Sequence, residues 1–273
     1  MTAELRTWRL VLEYDGAAYT GWQRQPKGHS IQSVVEDRLS RVLGGEAVRV
    51  IASGRTDAGV HALGQVCSFR AARVRHPQQL RDGLNATLPA DIAVVEAAEA
   101  HPAFHAQRSA IGKLYRYVIL PGPSRSALRR GRYWPVRWPL DHDGMREALQ
   151  SLVGRHDFTS FRASGCSAAT SVRTIHRAAL SQVEDELHVE LYGEGFLRHM
   201  VRNIVGSLVD VGRGKQRPGW FRELLQLKDR VQAGRTAPGE GLFLVRVDYP
   251  AALLVPGAPE LGVSQGEDSD GDE

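Results

Sequence analysis

The sequence predicts a mixed α/β protein whose two halves have a related build. Segments with the two-residue alternation of strands are interspersed with segments that show the apolar period of helices. An irregular stretch around Pro102 separates two such sets, which places a boundary near residue 104. We therefore expect an N-terminal subdomain at residues 1–104, a C-terminal subdomain at 105–255 and a disordered acidic tail at 256–273.

The first half begins with a strand, a loop and a helix. Asp15 and Gly16 provide the turn that ends the first strand, and Ser30 can cap the following helix, which a pair of glycines at 44 and 45 stops. In order, the predicted elements are a strand at 8–14, a helix at 31–43, strands at 48–52 and 65–69, a helix at 76–84 and a strand at 92–96. The segment at 53–64 is then a loop between strands, the kind of segment that often carries functional residues.

The second half repeats this mixture of elements. In order, we predict a strand at 114–120, a helix at 141–152, a strand at 187–192, helices at 195–211 and 220–227 and a strand at 241–247. Apolar side chains surround most of the helix at 195–211, so this helix is expected to be largely buried. A loop rich in Pro, Gly, Ser and Arg occupies 121–139.

The charge of the chain is distributed unevenly. It has 35 Lys and Arg against 31 Asp and Glu, a net charge of +4. Six of the acidic residues fall in the tail, which has no Lys or Arg, so residues 1–255 keep 25 acidic groups and a net charge of +10. A polycationic body favours polyanionic partners such as nucleic acid, although charge alone does not identify the chemistry.

Several classes of protein are not indicated by the sequence. The N-terminus lacks the apolar stretch of a signal peptide and no run of about 18 apolar residues occurs, so a soluble, cytoplasmic protein is expected. Cys67 and Cys166 have no clustered partners, which favours reduced thiols over a disulfide framework or a zinc site. No nucleotide-binding motif has the required spacing, so the sequence contains no recognisable cofactor-binding motif.

The most informative stretch is the loop that precedes His61. It places Arg55 and Asp57 between two glycines, which permit tight turns and the close approach of a ligand. From the spacing alone, the carboxylate of Asp57 can be a nucleophile, a general base or a structural cap of the loop. A lone loop histidine such as His61 is more often structural.

A second candidate lies in the middle of the buried helix. Arg202 is surrounded by Val201, Val205 and Val209, and a guanidinium in such surroundings is costly to desolvate unless an anion meets it. Its partner is either a carboxylate in a purely structural ion pair or a catalytic carboxylate that Arg202 keeps ionised and oriented.

Two basic segments suit RNA. Lys113, Tyr115 and Tyr117 share one face of a predicted strand, a pattern that fits stacked bases and phosphates as well as an ordinary core strand. The loop at 121–139 is either a solvated surface or one that follows phosphates, because its arginines have no acid between them. These arginines are Arg125, Arg129, Arg130, Arg132 and Arg137.

Taken together, these stretches resemble the tRNA pseudouridine synthase A family, whose members isomerise uridine to pseudouridine in the anticodon stem-loop of tRNA. The resemblance covers roughly residues 8–250 and rests on blocks in the family's order. These are Tyr14-Asp15-Gly16 with Gly21-Trp22-Gln23, Gly54-Arg55-Thr56-Asp57-Ala58-Gly59-Val60-His61, Phe104-His105-Ala106 with Ser109-Ala110, Tyr115-Arg116-Tyr117, Asp157-Phe158-Thr159-Ser160-Phe161, and Phe196-Leu197 with His199-Met200-Val201-Arg202-Asn203-Ile204-Val205-Gly206.

The resemblance implies roles for the matching residues. Asp57 would be the nucleophile, Arg55 would assist base flipping, Tyr115 would stack on the target base and Arg202 would pair with Asp57. Contacts to tRNA are implied for Phe104, His105, Ala106, Gln107 and Arg108 and for Gly165, Cys166, Ser167, Ala168 and Ala169. The basic segments add Lys113, Arg129 and Arg132 as RNA-binding candidates.

The resemblance also implies a fold and partners. The fold is two ferredoxin-like α/β halves that share a central mixed, mainly antiparallel sheet with flanking helices. The partners are tRNA, modified at positions 38, 39 and 40, and a second copy of the chain in a homodimer with a basic cleft. No metal or organic cofactor is implied.

The sequence departs from the family pattern in one block. Members commonly have Phe-x-Ala-Arg-aromatic-Ser-Ala, whereas here Gln107 stands at the arginine position, Arg108 follows it and the aromatic is missing. On a strand, Arg108 would point to the opposite face.

Two other functions fit parts of the pattern. A non-catalytic RNA-binding protein on the same scaffold has no use for a carboxylate facing a phosphate-rich ligand, so Asp57 with its neighbours favours the enzyme. A small-molecule hydrolase using Asp57 and His61 would bind its substrate without RNA. Whether Asp57 attacks C6 of uracil, attacks C1′ of ribose or abstracts a proton on a glycal-like route is left open by the sequence.

Overall fold

The structure, a computed structural model, describes residues 4–72, 74, 76–123, 125–166 and 168–256. Within these ranges ten strands form one sheet, accompanied by five α-helices. The strands are β1 (Arg6–Tyr14), β2 (Ile51–Ala52), β3 (His61–Ala71), β4 (Ile92–Ala100), β5 (Gly112–Pro121), β6 (Trp134–Val136), β7 (Gly154–Asp157), β8 (Val172–Val183), β9 (Glu186–Gly193) and β10 (Leu242–Asp248). The helices are α1 (Ile31–Val42), α2 (Pro77–Asn85), α3 (His142–Gln150), α4 (Met200–Gly212) and α5 (Trp220–Leu227).

The strand order shows two halves of the same topology. Across the sheet it is β4-β1-β3-β10-β5-β9-β8-β7, with β2 also on β3 and β6 also on β5. The first half has the order β4-β1-β3-β2 with helices α1 and α2, and the second repeats it as β10-β5-β9-β8 with helices α3 and α4. All pairs are antiparallel except β3 with β10 and β5 with β6. The predicted mixed sheet, shared by two ferredoxin-like halves, is confirmed.

The last strand joins the two halves. β10 lies parallel to β3, with Phe243 opposite His61, and antiparallel to β5 on its other side. β2 pairs with the distal part of the same edge of β3, where Ile51 is opposite Ser68. The loop between β2 and β3, residues 53–60, therefore lies at the seam between the halves.

One apolar core extends across both halves, because side chains of both sets of strands and helices belong to the same buried cluster. On β1, Trp8, Leu10 and Leu12 are buried and the residues between them are more exposed. Helix α4 packs on α3 and β5 and is buried around nearly its whole circumference. Arg202, near the start of this helix, lies beside the seam.

Several local predictions differ from the structure. Strand β2 covers only Ile51–Ala52 of the predicted 48–52. Strand β3 begins at His61, so the loop is shorter than predicted. Helix α4 begins at Met200 and not at 195, because His199 has a left-handed backbone (φ 60°) that a continuous helix does not contain. The sequence prediction also lacks β6, β7 and β8. In β8 a register shift between Ile175 and Arg177 disturbs the alternation by which strands are recognised.

The predicted boundary near residue 104 falls in the turn between β4 and β5, while the sheet and the core continue across it. The subdomain boundaries stay a prediction. Of the predicted tail, residues 257–273 lie outside the described residues. In the part of the chain that the structure describes, no helix is long and apolar enough to cross a membrane.

Candidate active site

Gln65 of β3 fastens the first residues of the loop that carries Asp57. Its amide oxygen accepts a hydrogen bond from the Ser53 hydroxyl (2.7 Å), and its amide nitrogen donates to the carbonyl of Gly54 (2.9 Å). Gln65 is fully buried, so its polar groups need partners inside the protein. These two bonds define the direction in which the chain leaves β2.

The segment after β1, which contains Gly21 and Trp22, packs against the middle of the loop at residues 53–60. The Trp22 N–H donates to the carbonyl of Thr56 (3.0 Å), and the Thr56 hydroxyl lies 2.8 Å from that of Tyr14. Gly21 has a φ of 102°, and a Cβ at this position would lie 2.6 Å from the Thr56 carbonyl oxygen. Glycine is therefore required for this approach, which fixes the backbone next to Asp57.

Asp57 meets two nitrogen-bearing side chains at the start of α4. Its Oδ2 lies 3.1 Å from Nη1 of Arg202 and 3.4 Å from Nε2 of His199. The side chains are partly shielded from solvent, with exposed fractions of 28% for Asp57, 16% for Arg202 and 25% for His199. Both contacts are to the same carboxylate oxygen, and no group among the described residues donates a hydrogen bond to Oδ1.

Arg202 is itself held by the chain that follows α5. Its Nε donates to the carbonyl of Ala237 (2.8 Å), and the Ala237 N–H donates back to the carbonyl of Arg202 (3.0 Å). Gly206, one turn later on α4, allows this segment to approach, because a Cβ there would lie 1.7 Å from the carbonyl oxygen of Arg235. The guanidinium bonds Ala237 and Asp57 at once, which offsets the cost of desolvating it.

These contacts keep the carboxylate of Asp57 ionised. Burial acts to raise the pKa of Asp57, but hydrogen bonding and charge from His199 and Arg202 outweigh it, so the pKa lies below its ordinary value. The result is a carboxylate that is anionic at neutral pH and oriented by two neighbours. Such a group can act as a nucleophile or as a base.

Tyr115 of β5 lies buried near Asp57. Its ring packs edge-on against Phe196, with ring centroids 5.0 Å apart and 76° between the planes. Burial, and to a smaller extent the charge of Asp57, raises the pKa of Tyr115, so its hydroxyl stays protonated. An aromatic ring and a neutral hydroxyl thus accompany the carboxylate.

Arg55 and Lys113 have different surroundings. Arg55 is exposed, and it forms no ion pair with any residue that the structure describes. Lys113 donates from Nζ to the carbonyl of Ser53 (2.7 Å). Burial, together with the charge of Arg173, lowers the pKa of Lys113 to about 8.

His61 is not part of this arrangement. Its Nδ1 lies 3.1 Å from Oδ1 of Asp15, its ring stacks on Phe243 with centroids 4.7 Å apart, and its Nε2 lies 2.8 Å from the carbonyl oxygen of Gly131. The structural interpretation of this histidine therefore fits its surroundings.

The segment from Phe104 to Arg108 is a turn and not a strand. Phe104 and Ala106 are buried in the core. His105 accepts hydrogen bonds at Nδ1 from the backbone N–H groups of Gln107 and Arg108, whose side chains are exposed. Strand alternation therefore does not decide where Arg108 points. Contact of this segment with RNA stays a prediction.

The loop at 165–169 lies close to the start of α4. Arg162 shapes it, since its guanidinium donates to the carbonyls of Cys166 and Ala168. Gly165 and Ala169 are exposed, and Ser167 lies outside the described residues. The RNA contact predicted for this loop is not tested by these observations.

Arg129 and Arg132 are both engaged in ion pairs. Arg129 contacts Asp185 (2.6 Å) and Glu186 (2.8 Å), and Arg132 contacts Asp15 (3.0 Å). Their predicted binding of RNA would require these pairs to open or to share their charge with a phosphate.

The sequence reasoning missed several residues near the loop. His199 occurs in a block that the sequence displayed, but its approach to Asp57 depends on the left-handed backbone at the start of α4. Arg162, Arg173 and Arg198 are far apart in the chain and only the fold brings them near one another. Within the described ranges, no three His, Cys, Asp or Glu side chains lie close enough together to hold a metal ion.

Comparison with known proteins gives consistent matches over most of the chain. The family described as "tRNA pseudouridine synthase" matches residues 10–107 and 148–250. The tRNA pseudouridine synthase A of Geobacter sulfurreducens is 49% identical over 245 residues, which cover 90% of this chain and 100% of that protein. The protein of the same name from Syntrophotalea carbinolica is 48% identical over 249 residues, covering 91% and 98%. A solved archaeal box H/ACA sRNP Nop10-Cbf5 complex aligns with 74% of this chain and 44% of that one, at 12% identity and a TM-score of 0.33.

Proposed function

The chain belongs to the tRNA pseudouridine synthase family, and from this premise we propose that it isomerises uridine to pseudouridine in the anticodon stem-loop of tRNA, with Asp57 as the catalytic carboxylate. The observation that carries the assignment is the carboxylate of Asp57, held at the seam of the two halves by Arg202 and His199.

The reaction needs an anionic group that can hold a detached piece of the nucleotide. The C1′–N1 bond of uridine breaks, a C1′–C5 bond forms, and the proton lost from C5 is balanced by one gained at N1. Asp57 is ionised, and Arg202 and His199 engage only its Oδ2, which leaves Oδ1 to form a bond or take a proton. The arrangement is compatible with attack at C6, attack at C1′ or a glycal-like route.

The neighbouring residues suit a flipped base. A uridine must leave its stack to reach Asp57, which costs a few kcal/mol on general grounds. We assign the ring of Tyr115, packed against Phe196, to contact with the flipped uracil. The exposed guanidinium of Arg55, beside the loop, is assigned to the space that the base vacates.

The assembly and location follow from the family and remain part of this proposal. We expect a homodimer that binds tRNA along a basic cleft, working in the cytoplasm where tRNA is modified. Sedimentation of the protein, alone and with tRNA, tests the dimer.

The direct test is pseudouridine mapping of bulk tRNA after incubation with the purified protein. We expect new pseudouridines confined to the anticodon stem-loop, and none with Asp57→Asn. The matched variant Asp82→Asn, on helix α2 and paired with Arg81, should keep its activity. Binding of tRNA without any pseudouridine would instead favour the non-catalytic RNA-binding protein.

A further inference from the structure

Four cationic side chains near Asp57 have no acidic partner among the described residues. They are Lys113, Arg162, Arg173 and Arg198. Other arginines of the same half, such as Arg116 and Arg177, are paired with Glu190. Arg213 and Arg235 of this half also lack an acidic partner among the described residues, but each lies over a tryptophan ring. The four cations are distinguished by lying in one neighbourhood.

The fold places the four side chains in one neighbourhood. Arg198 immediately precedes His199, which contacts Asp57, and the carbonyl of Arg198 accepts a hydrogen bond from the N–H of Ala163, next to Arg162 (3.1 Å). Arg173 lies on β8, two strands away from Lys113 on β5, with β9 between them. Lys113 is in register through Gly193 with Ile175, two residues from Arg173, so about 12 Å separates the two backbones, a span that two long side chains can cross.

Three of the four cations are tied to backbone carbonyls, not to carboxylates. Lys113 donates to Ser53 (2.7 Å), Arg162 donates to Ala168 (3.1 Å), and Arg173 donates to Thr170 (2.9 Å). Such bonds fix the direction of each side chain but supply no negative charge. The acid nearest to Arg198 in the sequence, Glu194, contacts His176 instead (3.6 Å).

The charges influence one another across this neighbourhood. Burial lowers the pKa of Lys113 and of Arg173, with additional repulsion from Arg173 on Lys113 and from Arg162 on Arg173. Cys166 lies among them. Burial disfavours its thiolate, but the N–H groups of Ala168 and Arg198 and the side chain of Arg162 outweigh this and lower its pKa. A cluster that disfavours its own charges and stabilises a thiolate is a site for an anion.

We propose that Lys113, Arg162, Arg173 and Arg198 form a binding site for one backbone phosphate of the RNA, adjacent to the target uridine. The inference rests on the proposed function, because a nucleotide whose ribose reaches Asp57 carries a phosphodiester on each side. Arginine forks match a phosphate through two oxygens. Because the phosphate would be gripped beside Asp57, the site positions the flipped nucleotide.

The test combines protein variants with an RNA in which one phosphate is neutral. A synthetic anticodon-arm RNA is made with a single methylphosphonate at each linkage in turn, and binding is measured to Asp57→Asn protein, which leaves the substrate intact. Arg173→Met and Arg198→Met are added separately to this background. Arg177→Met, on the same strand but paired with Glu190, is the matched control.

On unmodified RNA we expect Arg173→Met and Arg198→Met each to weaken binding about tenfold or more, and Arg177→Met to change it less than about twofold. With the methylphosphonate at one linkage beside the target uridine, this loss should disappear, since the neutral linkage no longer needs the cation. Because the site neutralises one phosphate, the slope of log affinity against log salt should fall by no more than about 0.7 to 0.9, even when several of the four cations are removed.

Equal losses with every modified RNA would overturn the phosphate site and leave only a general electrostatic effect. Unchanged affinity in both variants would overturn it as well. Arg198 is exposed, so its variant tests the site even if Arg173→Met lowers the melting temperature. Absence of pseudouridine formation by the unmutated protein would count against the proposed function, independently of these binding results.

Discussion

Replacing Arg202 by methionine tests how the carboxylate of Asp57 is activated. Methionine fills much of the same space but removes the bond to Oδ2 (3.1 Å) and the bond to the carbonyl of Ala237 (2.8 Å). Loss of one charge-assisted hydrogen bond costs about 1.5–3 kcal/mol. If that bond orients Asp57 in the transition state, kcat falls about 10- to 150-fold.

The same variant shifts the pH dependence. In the unmutated protein, Arg202 and His199 hold the pKa of Asp57 below its ordinary value despite burial. Activity that needs the carboxylate is therefore lost only as pH falls through this lowered pKa, and the contribution of the pair to stability is lost in the same window. In Arg202→Met the pKa of Asp57 rises, so the acid limb of the pH–rate profile moves to higher pH.

The assay is single-turnover pseudouridine formation on tRNA across a pH series. Arg213→Met, at the end of the same helix and stacked over Trp138, is the control for general effects on α4. Arg202→Lys keeps the positive charge, but an ammonium cannot bond both Asp57 and the carbonyl of Ala237 as the guanidinium does. This variant should therefore recover only part of the rate. A normal rate and an unmoved acid limb in Arg202→Met would refute the role assigned to the pair.

Three further predictions address the loop and its surroundings. Gly21→Ala should lower the free energy of unfolding by about 1–3 kcal/mol and reduce kcat, because the new Cβ strains the backbone and presses on the Thr56 carbonyl. Thermal melting measures the loss of stability, and a turnover assay measures kcat. His199→Gln should raise the pKa of Asp57, so the acid limb of the pH–rate profile should move to higher pH. A profile identical to that of the unmutated protein would contradict this prediction. Lys113→Met should stabilise the free protein by about 1–2 kcal/mol below pH 8, because burial lowers the pKa of Lys113 and the folded state then pays to protonate it. This difference in the free energy of unfolding should decrease as the pH rises from 8 toward the ordinary lysine pKa. Denaturant unfolding at several pH values measures it.

Much of the fold follows from periodicity in the sequence. The alternation on β1 and the apolar circumference of α4 both reflect burial by a single core, which is why they are visible in one dimension. Strand β8 is harder to recognise, because the register shift near Ile175 interrupts its alternation. The start of α4 is also hidden, since Phe196 and Leu197 continue the apolar period into a segment that is not helical.

The candidate site also contains some residues that the sequence indicates and others that it does not. Asp57 stands out because a carboxylate lies in a glycine-flanked loop, and Arg202 because a guanidinium lies on a buried helix. His199 does not, since its contact with Asp57 depends on one backbone angle. Arg162, Arg173 and Arg198 come from separate elements, and no spacing in the chain indicates that they approach one another.

The position of β10 has a consequence for synthesis of the protein. Before this strand is made, the parts of β3 and β5 that pair with β10 are unpaired sheet edges in the nascent chain. The segment that holds Arg202 through Ala237 directly precedes β10, so the ribosome must complete almost all the described chain before Asp57 acquires its surroundings. Incomplete polypeptides that lack β10 would thus expose these sheet edges, which favours aggregation, and would lack the complete surroundings of Asp57.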